Sequence, residues 1–195
     1  MVTTMPEQPP ERSTTERSST ERLTTERLTL TRPRGDDVEA IFALHHEPRA
    51  VAHNPSDALG DVAEAAALLA RWDEHWRRYG FGYWMVRRVE GDGTPIGICG
   101  TKRMELGGRT VLNLLYRFAP SAWGQGFARE AAVAVVTWAG ARHPTTPLVA
   151  RVRPENTASH RVAIRIGLVR APHLDGPGYD GPDQIYVSWW PAAVS

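Results

Sequence analysis

The chain has 195 residues, of which 42% are hydrophobic, and 23 Lys and Arg against 22 Asp and Glu give a formal net charge of +1. This length suits one domain with its own core, and the near-zero charge removes the electrostatic argument for a nucleic-acid or membrane partner. No apolar run approaches the roughly 20 residues of a membrane span, and no signal-type apolar segment opens the chain, which predicts a soluble cytoplasmic protein.

A repeat occupies the first part of the chain. The dipeptide Glu-Arg recurs at positions 11, 16, 21 and 26, separated by serine and threonine with few apolar side chains. Such a segment buries too little surface to offset the entropy that it loses on ordering. We therefore predict a disordered tail over residues 1–27 and a single folded domain over residues 28–195.

The next segment predicts one strand and two helices. Alternating residues in RLTLT indicate a strand that begins near Leu28. Asp36 opens a helix, and residues 46–60, rich in His, Pro and small polar residues, are typical of a loop. Asp61 followed by Glu64 predicts the capped start of a second helix. The apolar stripe of this helix is formed by Val62, Ala65, Leu69, Trp72 and Trp76.

Three strands follow in the middle of the chain. FGYWMVRRV, IGICGTKRM and TVLNLLYRF are separated by the turn-forming segments EGDGTP and GGR, which favours antiparallel pairing of successive strands. Cys99, the only cysteine, falls in the second strand, where a buried thiol is expected rather than a nucleophile. One cysteine excludes an intrachain disulfide or a cysteine-based metal cluster, and we expect no metal.

The segment SAWGQGFARE, residues 121–130, predicts an anion-binding turn. Gly124 and Gly126 flank one polar residue directly before an alanine-rich helix, about residues 124–141. Glycines at a helix start let several N–H groups point at one spot, where the helix dipole is positive. A turn without a ligand stays the alternative, since Gly-x-Gly alone is a weak signal. A dinucleotide or P-loop site is disfavoured, because the third glycine of G-x-G-x-x-G and the motif G-x-x-x-x-G-K-[ST] are missing.

The remaining elements complete the fold class. PLVARV predicts a strand, and QIYVSWW predicts the last one. Between them PENTASHRVAIRIG predicts a helix, with Asn156 as its N-cap and Gly167 just after its end. In chain order the elements predict an α/β fold with a mixed, mostly antiparallel sheet flanked by helices.

Two segments together resemble a known family. The order of strand, YRFAPSAWGQGFAREAA, strand and RVRPENTASHRVAIRIGL is similar to the GCN5-related N-acetyltransferases (GNAT), and within them to the ribosomal-protein-alanine acetyltransferase branch. The resemblance covers roughly residues 26–190. It implies the acyl-CoA N-acyltransferase fold and direct transfer of an acetyl group from acetyl-CoA to a primary amine. The expected partners are acetyl-CoA as co-substrate and an amine acceptor, a peptide N-terminus or a small molecule, for a monomer or homodimer.

The resemblance assigns the glycine turn to the CoA diphosphate. Trp123 occupies the first place of the family pattern Q/R-x-x-G-x-G/A, so its side chain is no polar phosphate ligand. The strand before the turn would pair with the pantetheine arm and present an N–H to the thioester oxygen. Arg129 would either add positive charge near a phosphate or be a solvated helix residue. The residues implied in co-substrate binding are Tyr116, Phe118, Gly124, Gln125, Gly126, Phe127, Ala128, Arg129 and Asn156.

The catalytic positions implied by the resemblance are Asn113, Asn156 and Ser159. Asn156 and Ser159 match the N-x-x-S positions beside the pantetheine and thiol, although both also suit the first turn of a helix. Ala163 stands where many members carry a tyrosine that protonates the departing thiolate, so Ser159 is the nearest replacement. Asn113 stands where relatives often carry a glutamate base, and asparagine cannot take a proton at neutral pH.

The missing base leaves alternatives open. Another residue can act through water, and the candidates are Glu47, His53, Asp57 and His160. The acceptor can instead be an α-amine, whose pKa of about 7.7–8.0 leaves much of it neutral, unlike a lysine amine at about 10.4. The same departures from the family pattern also suit a catalytically inactive CoA-binding sensor or partner module of this fold.

Overall fold

The computed structural model describes residues 21–191, so residues 1–20 of the predicted tail and residues 192–195 lie outside the described residues. The predicted boundary at residue 27 is wrong for residues 21–27. Strand β1 (Arg22–Thr24) pairs antiparallel with the next strand, and Leu23 packs against the main core. A strand of this kind is stabilised by its partner's backbone and by burial, which the composition of the repeat does not reveal.

The described part of the chain forms a nine-stranded sheet in the order β1-β2-β3-β4-β5-β6-β9-β7, with β8 paired to β9. Its strands after β1 are β2 (Leu28–Thr31), β3 (Tyr83–Arg88), β4 (Pro95–Leu106), β5 (Arg109–Phe118), β6 (Leu148–Val152), β7 (Val169–Arg170), β8 (Gly176–Gly178) and β9 (Gly181–Val187). All neighbours pair antiparallel except β5 and β6, which are parallel. The predicted mixed, mostly antiparallel α/β fold is confirmed.

Helices cover both faces of the sheet. They are α1 (Val38–His46), α2 (Pro48–Val51), α3 (Val62–Tyr79), α4 (Phe127–Arg142) and α5 (Thr157–Arg165). Residues of α4 and α5 contribute to the largest buried cluster on one face, whereas α1 and α3 contribute to a second cluster on the other. Capping agrees with the sequence, because the Asp61 side chain accepts from the N–H of Glu64 and Gly80 ends α3 in the left-handed conformation.

The predicted loop over residues 46–60 contains more structure than expected. Helix α2 and a 3-10 turn over Pro55–Asp57 lie within it. Both begin with proline in the first turn, where the missing N–H costs nothing and the fixed φ suits a helical start. Sequence reasoning took these prolines as loop signals, but they open short helical turns.

The parallel strands β5 and β6 separate at one end. Their pairing runs from Leu112 opposite Leu148 to Leu114 opposite Ala150 and stops there, while β5 continues to Phe118. The last residues of β5 therefore pair with β4 on one side only. A crevice opens between the two strand ends, beside the start of α5.

Candidate active site

The turn over residues 123–126 joins the end of β5 to α4. Gly124 and Gly126 have φ values of 74° and 80°, in the left-handed region that glycine reaches without a Cβ penalty. The N–H of Glu130 donates to Gly126 O at 3.0 Å. The N–H groups of Phe127, Ala128 and Arg129 precede this bond, so the helix itself offers them no acceptor. These amides face outward at the positive end of a 16-residue helix.

Basic side chains surround this turn. Arg27 forms an ion pair with Glu130 at 2.6 Å, and its Nη1 donates to Gln125 O at 3.1 Å. Its guanidinium and that of Arg88 lie 4.7 Å and 5.2 Å from the centre of the Phe127 ring. Burial alone would raise the pKa of Glu130, but hydrogen bonds from Thr25 and Arg27 outweigh it and lower this pKa. The segment before β2 thus fixes the first turn of α4.

Two predicted residues of this turn have distinct environments. Arg129 is exposed, and within residues 21–191 no carboxylate pairs with it, so its charge is available to an anion. Trp123 donates its indole N–H to Phe118 O at 2.8 Å, and the Arg49 guanidinium lies 5.0 Å from its ring centre. The Trp123 side chain therefore ties the turn to the end of β5.

The crevice between β5 and β6 lies next to the glycine turn. It encloses about 100 Å³, and its lining includes residues 114–117, Ala150, Asn156 and Ser159. Tyr116 crosses it and donates its hydroxyl to Ser159 O at 3.0 Å. Burial raises the pKa of Tyr116 to about 12, so this hydroxyl stays protonated at neutral pH.

The start of α5 forms the far wall of the crevice. Asn156 caps the helix, because its Oδ1 accepts from the N–H of Ser159 at 3.0 Å. Its side-chain amide can still donate to a ligand. Ala163 is fully buried in the main core one turn further on. The position at which relatives carry a tyrosine is therefore a packing position here, and Tyr116 places a hydroxyl beside the same helix from the opposite strand.

Asn113 lies on the other face of β5. It is paired with Lys102 of β4 across the sheet, and it lines an open groove of about 830 Å³ rather than the crevice. Its Oδ1 is buried and has no hydrogen-bond partner within the described chain. An unpartnered buried oxygen is costly and suits a ligand that donates a hydrogen bond, such as an amine.

The four candidate bases occupy different places. Glu47 accepts from the N–H of Arg49 at the start of α2, Asp57 pairs with a buried arginine, and His160 lies 2.8 Å from the Tyr186 hydroxyl. The exception is His53, which lines the crevice and whose Nδ1 lies 3.8 Å from Glu155. The structure therefore brings one candidate, His53, to the crevice and assigns the other three to structural contacts.

Sequence reasoning missed two buried arginines that hold the surrounding loops. Arg117 on β5 pairs with Asp57 at 2.5 Å, and its Nη1 lies 2.7 Å from His45 Nδ1. His45 Nδ1 is also 2.8 Å from Asp57 O. Burial first and Arg117 second lower the pKa of His45 from 6.5 to about 4, so the ring is neutral at neutral pH.

Arg153, after β6, is the second buried arginine. It pairs with Asp183 at 2.9 Å and donates to His53 O at 3.2 Å. The Ser56 N–H and hydroxyl both donate to Asp180, at 2.9 Å and 2.6 Å. These bonds join the loop after α2 to the β8–β9 hairpin across the mouth of the crevice. A charged residue in a largely apolar strand is the signal that could have found Arg117.

No group of three or more His, Cys, Asp or Glu side chains within residues 21–191 is arranged to hold a metal ion. None of the helices in this range is both long and apolar enough to cross a membrane. Cys99 is fully buried as expected, and burial raises the pKa of its thiol.

Comparison with known families supplies the identity that the site suggests. The acetyltransferase (GNAT) domain matches residues 27–169, more than half of the chain. The chain belongs to the GNAT acetyltransferase family. The predicted family is confirmed, and with it membership of an enzyme class that uses acetyl-CoA as acetyl donor.

Solved structures agree with this GNAT assignment. An acetyltransferase from Agrobacterium tumefaciens is 30% identical, with a TM-score of 0.71 over 85% of this chain and 92% of that one. RimL, a ribosomal L7/L12 α-N-protein acetyltransferase solved with CoA, is 17% identical, with a TM-score of 0.67 over 84% of this chain and 94% of its own. RimL and this chain share the fold.

A curated relative adds less. The protein YkkB of Bacillus subtilis, whose function is not characterised, is 33% identical over 90 residues. These residues are 46% of this chain and 52% of YkkB, so the match spans about half the length of that relative.

Proposed function

We propose that this GNAT protein transfers the acetyl group of acetyl-CoA directly to a primary amine, in particular to the α-amine of a peptide. The observation that carries the proposal is the juxtaposition at the end of β5. An outward-facing amide turn at a helix N-terminus lies beside a crevice between splayed strands. A diphosphate suits the first feature, and a thin extended arm suits the second.

The residues present fit this co-substrate. A Cβ on Gly124 would meet nothing within 4 Å, so the turn is open to a ligand. The amides from Gln125 to Arg129 would hold the diphosphate, with the charge of Arg129 nearby. Tyr116 to Phe118, unpaired with β6, would offer backbone groups to the arm. The Asn156 amide and the Ser159 hydroxyl would lie beside the thioester.

The reaction needs a neutral amine. Its nitrogen attacks the thioester carbonyl carbon, a C–N bond forms, and an N–H of β5 stabilises the negative oxygen that develops. The C–S bond then breaks and the thiolate leaves. A thiol of pKa near 8.5 leaves without a strong acid, and the hydroxyl of Ser159 would donate a hydrogen bond to it.

His53 is the proposed acceptor of the ammonium proton, directly or through water. It lines the crevice, and its backbone oxygen is held by Arg153. Asn113 would position the amine by accepting a hydrogen bond with its unpartnered oxygen. An imidazole is a weak base for a lysine amine but is well matched to an α-amine, which supports the α-amine as the acceptor.

Peptides of one sequence test this function in two forms. The first has a free N-terminus and no lysine, and the second has a blocked N-terminus and one internal lysine. We expect CoA release, with the acetyl group located by mass spectrometry, for the first form only. The substitution His53→Gln should lower kcat/KM by about 100-fold or more, as loss of a general base does. His173→Gln, at an exposed histidine outside the crevice, is the control.

The alternative is a CoA-binding module without catalysis, and the asparagine at position 113 and the alanine at position 163 favour it. The same peptides separate the two. Acetyl-CoA binding without acetylation of any free amine would support the module and overturn the enzyme.

A further inference from the structure

The groove on the Asn113 face has walls from three elements. Helix α3 contributes Arg71, Glu74, His75, Arg78 and Tyr79, and β4 contributes residues 102–105. The β8–β9 hairpin contributes Gly178 and Tyr179, and Tyr179 is 93% exposed at the edge. The volume of about 830 Å³ is large enough for several residues of a peptide.

Positive charge dominates this groove. Within the described chain no carboxylate pairs with four of its cations, which are Arg71, Arg78, Lys102 and Arg103. Of the two carboxylates of the groove, Glu74 pairs with Arg77 at 2.6 Å. Glu105 accepts from the Thr110 hydroxyl at 2.6 Å and keeps its negative charge, which the four cations outnumber. A fifth cation, Arg151, pairs with Asp183 at 2.5 Å.

Neutral groups hold these cations in place. The guanidiniums of Arg78 and Arg103 lie 5.3 Å and 5.6 Å from the centre of the Tyr79 ring. Lys102 Nζ lies 5.3 Å from the centre of the Tyr83 ring. Such contacts orient a cation without neutralising it, so the charge stays available to an anion.

His75 and Lys102 also line the groove. His75 Nε2 accepts from the Arg103 N–H at 3.1 Å, and burial lowers the pKa of His75, so this ring is neutral and adds no charge. Lys102 is the only lysine beside 22 arginines, since Lys and Arg total 23. Burial and then Arg71 lower the pKa of Lys102. A bound anion would relieve this repulsion.

The groove is continuous with the crevice. Arg151 lines both cavities, and it directly follows the last pair between β5 and β6, Leu114 opposite Ala150, where the two strands part. A molecule whose amine enters the crevice past Asn113 therefore leaves its remaining atoms among the unpaired cations.

We propose that the acceptor carries anionic groups, carboxylates or phosphates, close to its amine, and that the groove recognises them. This inference rests on the proposed function, because it names the acceptor class of that site. Acidic N-terminal peptides and small anionic amines share this chemistry. Polyamines and other polycationic amines are the poorest acceptors.

Three peptides of equal length test the charge preference. Each begins with alanine. The next three residues are acidic in the first peptide, the corresponding neutral amides in the second, and lysines with free side chains in the third. We expect kcat/KM for the acidic peptide to exceed that of the neutral peptide about tenfold and that of the basic peptide about a hundredfold. The advantage shrinks as salt rises, because screening weakens exposed charge pairs. A comparison of free aspartate with its amide as acceptors tests whether small anionic amines are substrates.

Variants locate the effect. The double substitution Arg71→Gln and Arg103→Gln should reduce the acidic-over-neutral ratio of kcat/KM to within about threefold. Arg161→Gln is the control, since Arg161 is an exposed residue of α5 and lies outside the groove lining. It should keep the preference. Titration of the N-acetylated acidic peptide with CoA present gives an equilibrium readout that does not need turnover.

The outcomes separate the two proposals. Equal rates for the three peptides, or a preference for the basic one, overturn this inference and leave the α-amine acetyltransferase standing. An acidic preference that survives in the double variant also overturns the groove assignment. If neither peptides nor aspartate are acetylated, the proposed function fails and this inference fails with it.

Discussion

The left-handed conformation of Gly126 sets up a prediction for Gly126→Ala. The residue has φ 80° and ψ 2°, and an added Cβ would meet Arg27 Nη2 at 3.6 Å, an ordinary contact. Space is therefore no obstacle, and the cost is that of a left-handed L-residue, about 1–2 kcal/mol. For a domain of this size the melting temperature should fall by roughly 2–8 °C.

The functional cost of this substitution comes from the amides. A turn that relaxes to a negative φ rotates its N–H groups away from their common target, and one charge-assisted hydrogen bond is worth about 1.5–3 kcal/mol. We expect the Kd for acetyl-CoA, measured by calorimetric titration, to rise at least about tenfold. Gly140→Ala is the control, because Gly140 is an exposed position of α4 where a Cβ meets nothing within 4 Å. It should stabilise the protein by about 0.5–1 kcal/mol and leave the Kd unchanged. An unchanged Kd in Gly126→Ala would refute the assignment of this turn to the diphosphate.

Three further predictions concern stability and the loops. The pKa of His45 is about 4 in the folded protein and 6.5 ordinarily. The stability that the neutral ring contributes is therefore present above pH 6.5, and roughly 3 kcal/mol of the free energy of unfolding is lost as the pH falls towards 4. Between pH 7 and pH 4 the melting temperature should therefore change less with pH for His45→Gln than for the wild type. Arg153→Met leaves Asp180 and Asp183 without this cation, and we expect a loss of about 3 kcal/mol in urea unfolding and a higher KM for the amine. Deletion of residues 1–20 should leave the melting temperature unchanged, whereas deletion of residues 1–27 should lower it, because β1 and the ion pair of Arg27 with Glu130 are then lost.

Each of these has a contrary result. Parallel pH curves for the wild type and His45→Gln would contradict the assignment of the acid sensitivity to His45. Arg161→Met, at an exposed position of α5, controls for the loss of one arginine, and equal effects of the two arginine variants would remove the special role of Arg153. Equal melting temperatures after the two deletions would show that β1 contributes nothing.

The motifs were readable because their chemistry is local. A left-handed turn before a helix needs glycine, so Gly124 and Gly126 predict such a turn from the sequence alone. Helix caps behave alike, and Asp61 and Asn156 both accept the hydrogen bond that their sequence context predicts. Strand alternation likewise located the three central strands. Each of these signals depends on neighbours within a few residues.

The features that the sequence did not predict depend on contacts between distant parts of the chain. Strand β1 forms in a segment whose composition predicts disorder, because its partner strand and the core under Leu23 stabilise it. The roles of His53 and Asn113 could not be ranked from the sequence, since the crevice and the groove are each lined by residues up to about 100 positions apart in the chain.

By itself the sequence determined the family, the fold class and the glycine turn, because these depend on residue types at fixed spacing. Only the tertiary structure decided which side chains meet. Arg117 reaches Asp57, Tyr116 reaches Ser159, and four cations of one groove converge that pair with no carboxylate of residues 21–191. Such encounters depend on which strand faces which helix, and long-range packing, not local propensity, sets that.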